Sequence, residues 1–220
     1  MKMSDKYKKS NSKLIGEQMR MSISQRGEKA SWKPGNVLYP APPVLVSCGG
    51  FQGWKENLIT IAWAGNVCSD PPMLSISVRP ERYSHEIIRT IGEFVVNVPS
   101  LKLARAVDWC GVVSGRDEDK FAGAGLTVQR ALKVQAPIVS ECPINIECIV
   151  KKSLELGSHT LFIAEVVAVQ VSTGLMDGKG KFHIEKCGLL SFVHGQYFAL
   201  GRRLGGFGFS VRKGSRKVKA

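Results

Sequence analysis

INIECIVKKSLEL (residues 144–156), GSH (157–159) and TLFIAEVVAVQV (160–171) together decide the fold of this chain. The two long runs are rich in Ile, Val, Leu and Phe and are parted by three residues that begin with glycine. That composition favours extended backbone, and the short Gly-containing break predicts a β-hairpin. Working outward, Glu93 to Val98 reads as a strand stopped by Pro99, and Met73-Leu74-Ser75-Ile76-Ser77-Val78-Arg79 alternates cleanly after the Asp70-Pro71-Pro72 turn. Asn57 to Gly65 is a further extended run, apolar at Ile59, Ile61 and Trp63 and small or hydroxylic at Thr60, Ala62 and Ala64. Its small face leaves room for something flat. Val44 to Cys48, led in by Pro40, Pro42 and Pro43 and closed by Gly49-Gly50, predicts the first strand, and Cys187 to Val193 the last.

Helices are few. Ser84 is placed to cap one with Ile87, Ile88 and Ile91 as its apolar stripe and Gly92 as a left-handed terminus. Ser100 is placed to cap a second that runs through Cys110, with Leu101, Leu103 or Ala104 and Val107 inward. Ser114 to Lys120 reads as a charged loop, and residues 122–125 (AGAG) as irregular. Strands and helices do not alternate regularly, which disfavours a doubly wound parallel sheet. The expected class is mainly β with inserted helices, an antiparallel barrel.

The chain has 220 residues, 44% hydrophobic and 22% charged, enough apolar material for a sizeable core. No apolar run reaches the roughly 18 residues of a membrane span, and the Lys-rich start lacks the apolar core of a secretory signal, so a cytoplasmic protein away from membranes is expected. Six cysteines at gaps of 20, 42, 32, 6 and 39 form no Cys-x-x-Cys, which argues against zinc ribbons and cysteine-ligated clusters and fits a reducing compartment.

The net charge of +13 invites a nucleic-acid reading. Its location tells against one. Residues 1–35 hold nine Lys/Arg against three Asp/Glu, residues 201–220 hold seven against none, and residues 36–200 hold 15 of each. The expected organisation is a basic, flexible arm over residues 1–30, a folded domain over 31–213 and a basic tail over 214–220. A nucleic-acid partner would rest on the ends alone.

Glycine clusters at residues 49–53, 123–125 and 205–208 complete neither a dinucleotide fingerprint nor a Walker loop, and read as turns. Arg79-Pro80-Glu81-Arg82-Tyr83-Ser84 is more specific: a strand delivers two arginines to the start of a helix, where free N–H groups and the positive dipole end suit a monophosphate. The same residues also read as solvated arginines beside a plain N-cap. His85, His159, His183 and His194 show no metal-ligand spacing. His159, at the hairpin, reads either as a structural histidine or as an imidazole facing a cleft. No Gly-x-Ser-x-Gly or Cys/His pattern marks a nucleophile. Cys48 and Cys148 read as buried hydrophobes, and Cys68, beside Ser69, as a residue able to border a ligand.

Taken in order, Tyr39-Pro40 before Val-Leu-Val-Ser-Cys, then residues 57–63 (NLITIAW), 68–72 (CSDPP) and 77–84 (SVRPERYS), resemble the flavin reductase-like family that includes flavoredoxin. Residues 92–97 (GEFVVN), 114–121 (SGRDEDKF), 157–162 (GSHTLF) and 197–211 continue the resemblance, which covers about 37 to 213. It implies a split β-barrel that binds FMN, usually as a homodimer. It implies that Thr60, Ile61, Ala62 and Trp63, with Cys68 and Ser69, lie along the flavin, that Arg79, Arg82, Tyr83 and Ser84 hold its phosphate, that Asn97 and Lys120 lie near it, and that His159 faces the nicotinamide side as the candidate catalytic residue. The implied activity is hydride transfer from NADH or NADPH to FMN and electron transfer onward to free flavin, iron or a redox protein. The alternative is an FMN-binding electron carrier. Arg202, Arg203, Arg212 and Lys213 fall in the matched tail, where they read as solubilising charge or as residues near an interface or phosphate.

Overall fold

The computed structural model describes residues 29–211. The expected arm over residues 1–30 and tail over 214–220 therefore lie almost wholly outside the described residues. The chain divides into two units, Met1–Val37 and Leu38–Ala220. Residues 29–37 carry no helix or strand, and every element among the described residues belongs to the second unit.

Among the described residues, eleven strands and three α-helices follow in the order β1 (Val44–Cys48), β2 (Asn57–Ile61), β3 (Ala64–Ser69), β4 (Pro72–Val78), α1 (Tyr83–Ile91), β5 (Glu93–Val98), α2 (Ala104–Val112), α3 (Lys120–Ala124), β6 (Val128–Gln129), β7 (Ile138–Val139), β8 (Ile144–Leu156), β9 (His159–Val171), β10 (Leu190–Val193) and β11 (Gln196–Ala199). The hairpin read from residues 144–171 is β8 and β9, paired from Ile144↔Val171 to Leu156↔His159. His159 is the first residue of β9 rather than part of the turn, which is left to Gly157, at φ 66°, and Ser158.

Seven strands form one antiparallel sheet in the order β2-β1-β5-β8-β9-β4-β3. Its two edges, β2 and β3, are consecutive in sequence and joined only by Ala62 and Trp63. Laid flat, seven strands would set those edges about 29 Å apart, whereas so short a connection reaches only about 10 Å. The sheet must therefore curl until its edges meet. The Ser77 amide of β4 donates to the Trp63 carbonyl (2.9 Å), which carries the β3–β4 pairing into that corner. The run from Asn57 to Gly65, expected as one strand, is thus two strands broken at the corner where the barrel splits.

Alternation then sorts the side chains. Val44, Val46 and Cys48 of β1 point into the barrel with Ile59, Ile61, Ile76, Phe94 and Phe162, and α1 adds Ile87 and Ile88 to this core. Leu45 and Leu58 point outward and are covered by Val107 and Cys110 of α2 and Phe121 of α3. This double burial explains why β1 is apolar at nearly every position.

Four local expectations change. Helix α1 starts at Tyr83, its N-cap is Arg82, and no side chain caps it; Ser84 lies buried inside the first turn. Gly92 does take the left-handed terminal conformation, at φ 73°. Ser100 precedes a 3₁₀ turn, Leu101–Leu103, which the longer α2 follows. Residues 120–124 form α3, because the Asp119 carboxylate accepts from the amides of Phe121 (3.0 Å) and Ala122 (3.1 Å) and Gly125 closes the turn at φ 65°. The last strand is the hairpin β10–β11, and its start lies at Leu190 rather than Cys187. Among the described residues no helix is long and apolar enough to cross a membrane. No group of three or more His, Cys, Asp or Glu among them is placed to hold a metal.

Candidate functional site

Two adjoining cavities open where the barrel splits. The first, about 350 Å³, is lined by the β2–β3 corner from Ile59 to Trp63, the end of β4 through Arg79, and by Arg82, His159 and Phe192. The second, about 340 Å³, is lined by Asn57, Arg79, Arg82, Tyr83, Ser84, Ser114, Gly115 and Lys120, among others. Ile59, Arg79 and Arg82 border both, so one cleft runs from the seam to the N-terminus of α1.

The seam end is flat and aromatic. The Trp63 and His159 rings lie 4.5 Å apart between centroids at 37°. Trp63 remains 41% exposed. Ser158 Oγ lies 2.9 Å from His159 Nδ1, which leaves Nε2 for the cleft. Burial, then the positive charge of Arg79, hold the His159 pKa below the usual histidine value, so the ring is neutral at pH 7. Thr60 belongs less to this cleft than its small face suggests. Its hydroxyl donates to the Val107 carbonyl of α2, and Gly111 packs against its Cβ side. Helix α2 takes much of the space that the sequence leaves open.

The other end is cationic. Lys120 is only 4% exposed, and its Nζ donates to the carbonyls of Leu58 (2.7 Å) and Cys110 (2.6 Å). Desolvation lowers its pKa to about 8, with Arg82 adding to the fall. Among the described residues no carboxylate pairs with it. Asn57 Nδ2 donates to Ser84 Oγ (2.7 Å) beneath the start of α1. Burial pushes the neighbouring thiols of Cys48 and Cys110 up to about 12 and about 11, so both stay neutral beside the ammonium. Arg79 is drawn partly aside by Glu81 at 3.4 Å.

Of the residues expected at the site, the fold brings Thr60, Ile61, Ala62, Trp63, Arg79, Arg82, Tyr83, Ser84, Lys120 and His159 to this cleft. Three stand elsewhere. Cys68 and Ser69 lie exposed at the far end of β3, where Cys68 Sγ meets the Asp70 carbonyl. Asn97 is fully buried in β5: its amide nitrogen donates to Leu45 O and Ser47 Oγ, and its oxygen accepts from the Val139 amide and Asn145. That role is structural. Sequence reasoning did not assign Asn57, Ser114, Gly115 or Phe192 to the cleft. The first three sit in quoted motifs and carried a signal, whereas Phe192 arrives from the far end of the chain and carried none.

The cleft can accept a flat, partly apolar ring at one end and a small dianion at the other. The first turn of α1 has no side-chain cap, two arginines flank it, and the buried Lys120 ammonium has no carboxylate partner among the described residues.

Comparison with known proteins agrees with this geometry. Flavoredoxin of Desulfovibrio vulgaris (Miyazaki F) is 34% identical, with a TM-score of 0.76 over 84% of this chain and 99% of that one. Flavoredoxin from Methanosarcina acetivorans is 29% identical, with a TM-score of 0.76 over 84% and 98%. The reductase component of a Rhodococcus opacus 4-nitrophenol 4-monooxygenase/4-nitrocatechol 2-monooxygenase is 29% identical over 73% of this chain and 82% of its own. The sequence profile described as flavin reductase like domain matches residues 37–201, stopping short of the resemblance read to residue 213. With its mainly β split barrel and inserted helices, the chain belongs to the flavin reductase-like domain family.

Proposed function

We propose that the protein is an FMN-binding oxidoreductase that takes hydride from NADH or NADPH and passes electrons to free flavin, iron or a redox protein. The observation that carries this reading is the buried Lys120 ammonium, unmatched by any carboxylate among the described residues, beside the uncapped start of α1. A phosphate dianion there would receive charge-assisted bonds from Lys120, Arg79 and Arg82 and amide donors from the first turn of α1. The ring would then lie along Ala62 and Trp63 at the seam, in the cavity that Phe192 and His159 also border.

Bound FMN would supply the redox chemistry, and the residues of this cleft would supply position and electrostatics. Neutral His159, its ring braced on Trp63, offers Nε2 to orient the donor over the ring. No side chain needs to act as a nucleophile. The family's split barrels commonly pair, and a homodimer in the cytoplasm is part of the proposal.

Anaerobic mixing of the FMN-loaded protein with NADH or NADPH tests it. Rapid loss of the oxidised flavin's visible absorbance supports the reductase. Persistent oxidised flavin that a second redox protein can reduce supports the carrier reading, which the flavoredoxin relatives favour. A protein that binds no FMN in a saturable fluorescence titration rejects both.

A further inference from the structure

The aromatic end of the cleft hangs on the tip of one strand. Strand β9 pairs with β4 from Met73↔Glu165 to Val78↔Thr160 and no further. His159, one residue before Thr160, is paired only with Leu156 of β8 among the described residues. Its backbone is therefore laddered on one side, and a strand end so held is the part of a sheet that frays first.

The inner face of that tip supplies a further tie. Alternation turns Thr160 into the barrel while His159 faces the cleft. Thr160 is 5% exposed, and its Oγ1 lies 2.8 Å from Nε2 of His85, itself 6% exposed. The His85 ring packs against Phe162, with centroids 5.5 Å apart at 59°. Burial, then the charge of Arg89, hold its pKa below the usual histidine value, so the pair is neutral at pH 7. Val78, Ile87, Ile88 and Phe162 fill the surrounding core. Apolar packing carries little direction, whereas a satisfied polar pair buried among such side chains favours one arrangement.

The other end of the tie is the start of α1. His85 is the third residue of that helix, and its amide donates to the Arg82 carbonyl (2.9 Å). Ser84, its neighbour, accepts from Asn57. One imidazole thus joins the turn at the cationic end of the cleft to the strand tip that carries His159. His85 lines neither cavity of the cleft, so any effect on the chemistry passes through Thr160.

We infer that His85 is a positioning residue for hydride transfer: through Thr160 it fixes the tip of β9 and thereby the seat of the His159 ring on Trp63. The inference rests on the role proposed above for His159.

Thr160→Val deletes the hydroxyl at nearly constant shape, His85→Leu deletes the ring nitrogens, and His85→Gln keeps a polar nitrogen near the place of Nε2. Histidine side-chain NMR of the flavin-free protein reads the His159 ring directly, its signals identified by their loss in His159→Ala. Thr160→Val and His85→Leu should shift those signals and raise the His159 pKa by about half a unit or more as the ring leaves its buried seat, with His85→Gln closer to the parent. In the FMN-loaded protein both should slow hydride transfer by about three- to tenfold and leave FMN affinity within about twofold, and neither should slow it further in a His159→Ala background. Unmoved His159 signals in folded Thr160→Val, or a slowing that persists without His159, overturn the inference and leave the FMN reading intact. If neither NADH nor NADPH reduces the flavin, or His159→Ala leaves hydride transfer unchanged, the role given to His159 falls and takes the inference with it. Where a single variant does not fold, His85→Leu combined with Thr160→Val, which leaves neither polar group behind, carries the same measurements.

Discussion

Lys120 is the residue on which the site's electrostatics turn. Its pKa of about 8 lies below that of an unfolded lysine because burial penalises the charge. A bound phosphate dianion would reverse that penalty and raise the pKa, so affinity for FMN should be flat between about pH 7, where the phosphate is already a dianion, and about pH 8, and fall by up to about tenfold per unit above it. Stability of the flavin-free protein should run the other way. Between about pH 8 and 10.4 the folded lysine has lost its proton while the unfolded one keeps it, so unfolding becomes harder by on the order of 3 kcal/mol. Fluorescence titration and urea unfolding across that range check the two signs, and Lys120→Met should flatten both profiles. His159 predicts a different split. His159→Ala should leave FMN affinity within about threefold and slow hydride transfer by roughly 10–100-fold, measured by stopped flow. An equal loss in both would make His159 a binding residue. That the arginines and His159 come to one cleft was legible because charge and turn position are local properties. Asn97 was misplaced because a short motif does not reveal which face of a strand is covered.

At the scale of elements, alternation made the long strands readable and burial on both faces hid the connections between them. Residues 130–136 show this. They have no regular structure, yet Glu147 of β8, fully buried, accepts from the amides of Leu132 (2.9 Å), Lys133 (2.6 Å) and Val134 (3.2 Å) and from Gln170 Nε2 (3.0 Å). Glu93 does the same for Gln135 and Ala136. A charged residue inside an apolar strand is here the acceptor that replaces a ladder for an otherwise unpaired loop. Glu147→Ala strands these donors and should cost about 3 kcal/mol or more in urea unfolding, with Glu147→Gln costing less. Amide exchange should quicken first at residues 132–134. Unchanged exchange there would show that the loop is held by packing of Ala131, Val134 and Ala136 instead. Helix α3 was missed for a related reason: five residues are too few for a periodic signal, and only the Asp119 cap and Gly125 mark its ends.

The whole molecule turns on closure. Single strands and one hairpin could be read, but the meeting of β2 and β3 at Ala62 and Trp63 is a property of all seven strands together, and no window of sequence contains it. Closure also leaves something over. Beyond its pairing with β5, which ends at Ile149, β8 continues through Leu156 with β9 as its only strand partner among the described residues. That outer edge carries Leu154 and Leu156, both about half exposed, and the 200–211 segment carries Leu200, Leu204 and Phe207 in the open. An unpaired strand edge with apolar side chains is a surface that natural proteins cover. A second copy of this chain is the occupant expected of it, so light scattering should give about twice the 24.0 kDa of one chain. Thermal midpoints should rise with protein concentration, because association stabilises only the folded form. Replacing Leu154 and Leu156 together by lysine should yield the single-chain mass with the barrel's circular dichroism intact. A protein of single-chain mass across micromolar concentrations would instead show that this edge is tolerated in water, guarded by Lys151, Lys152 and Glu155 along the same stretch.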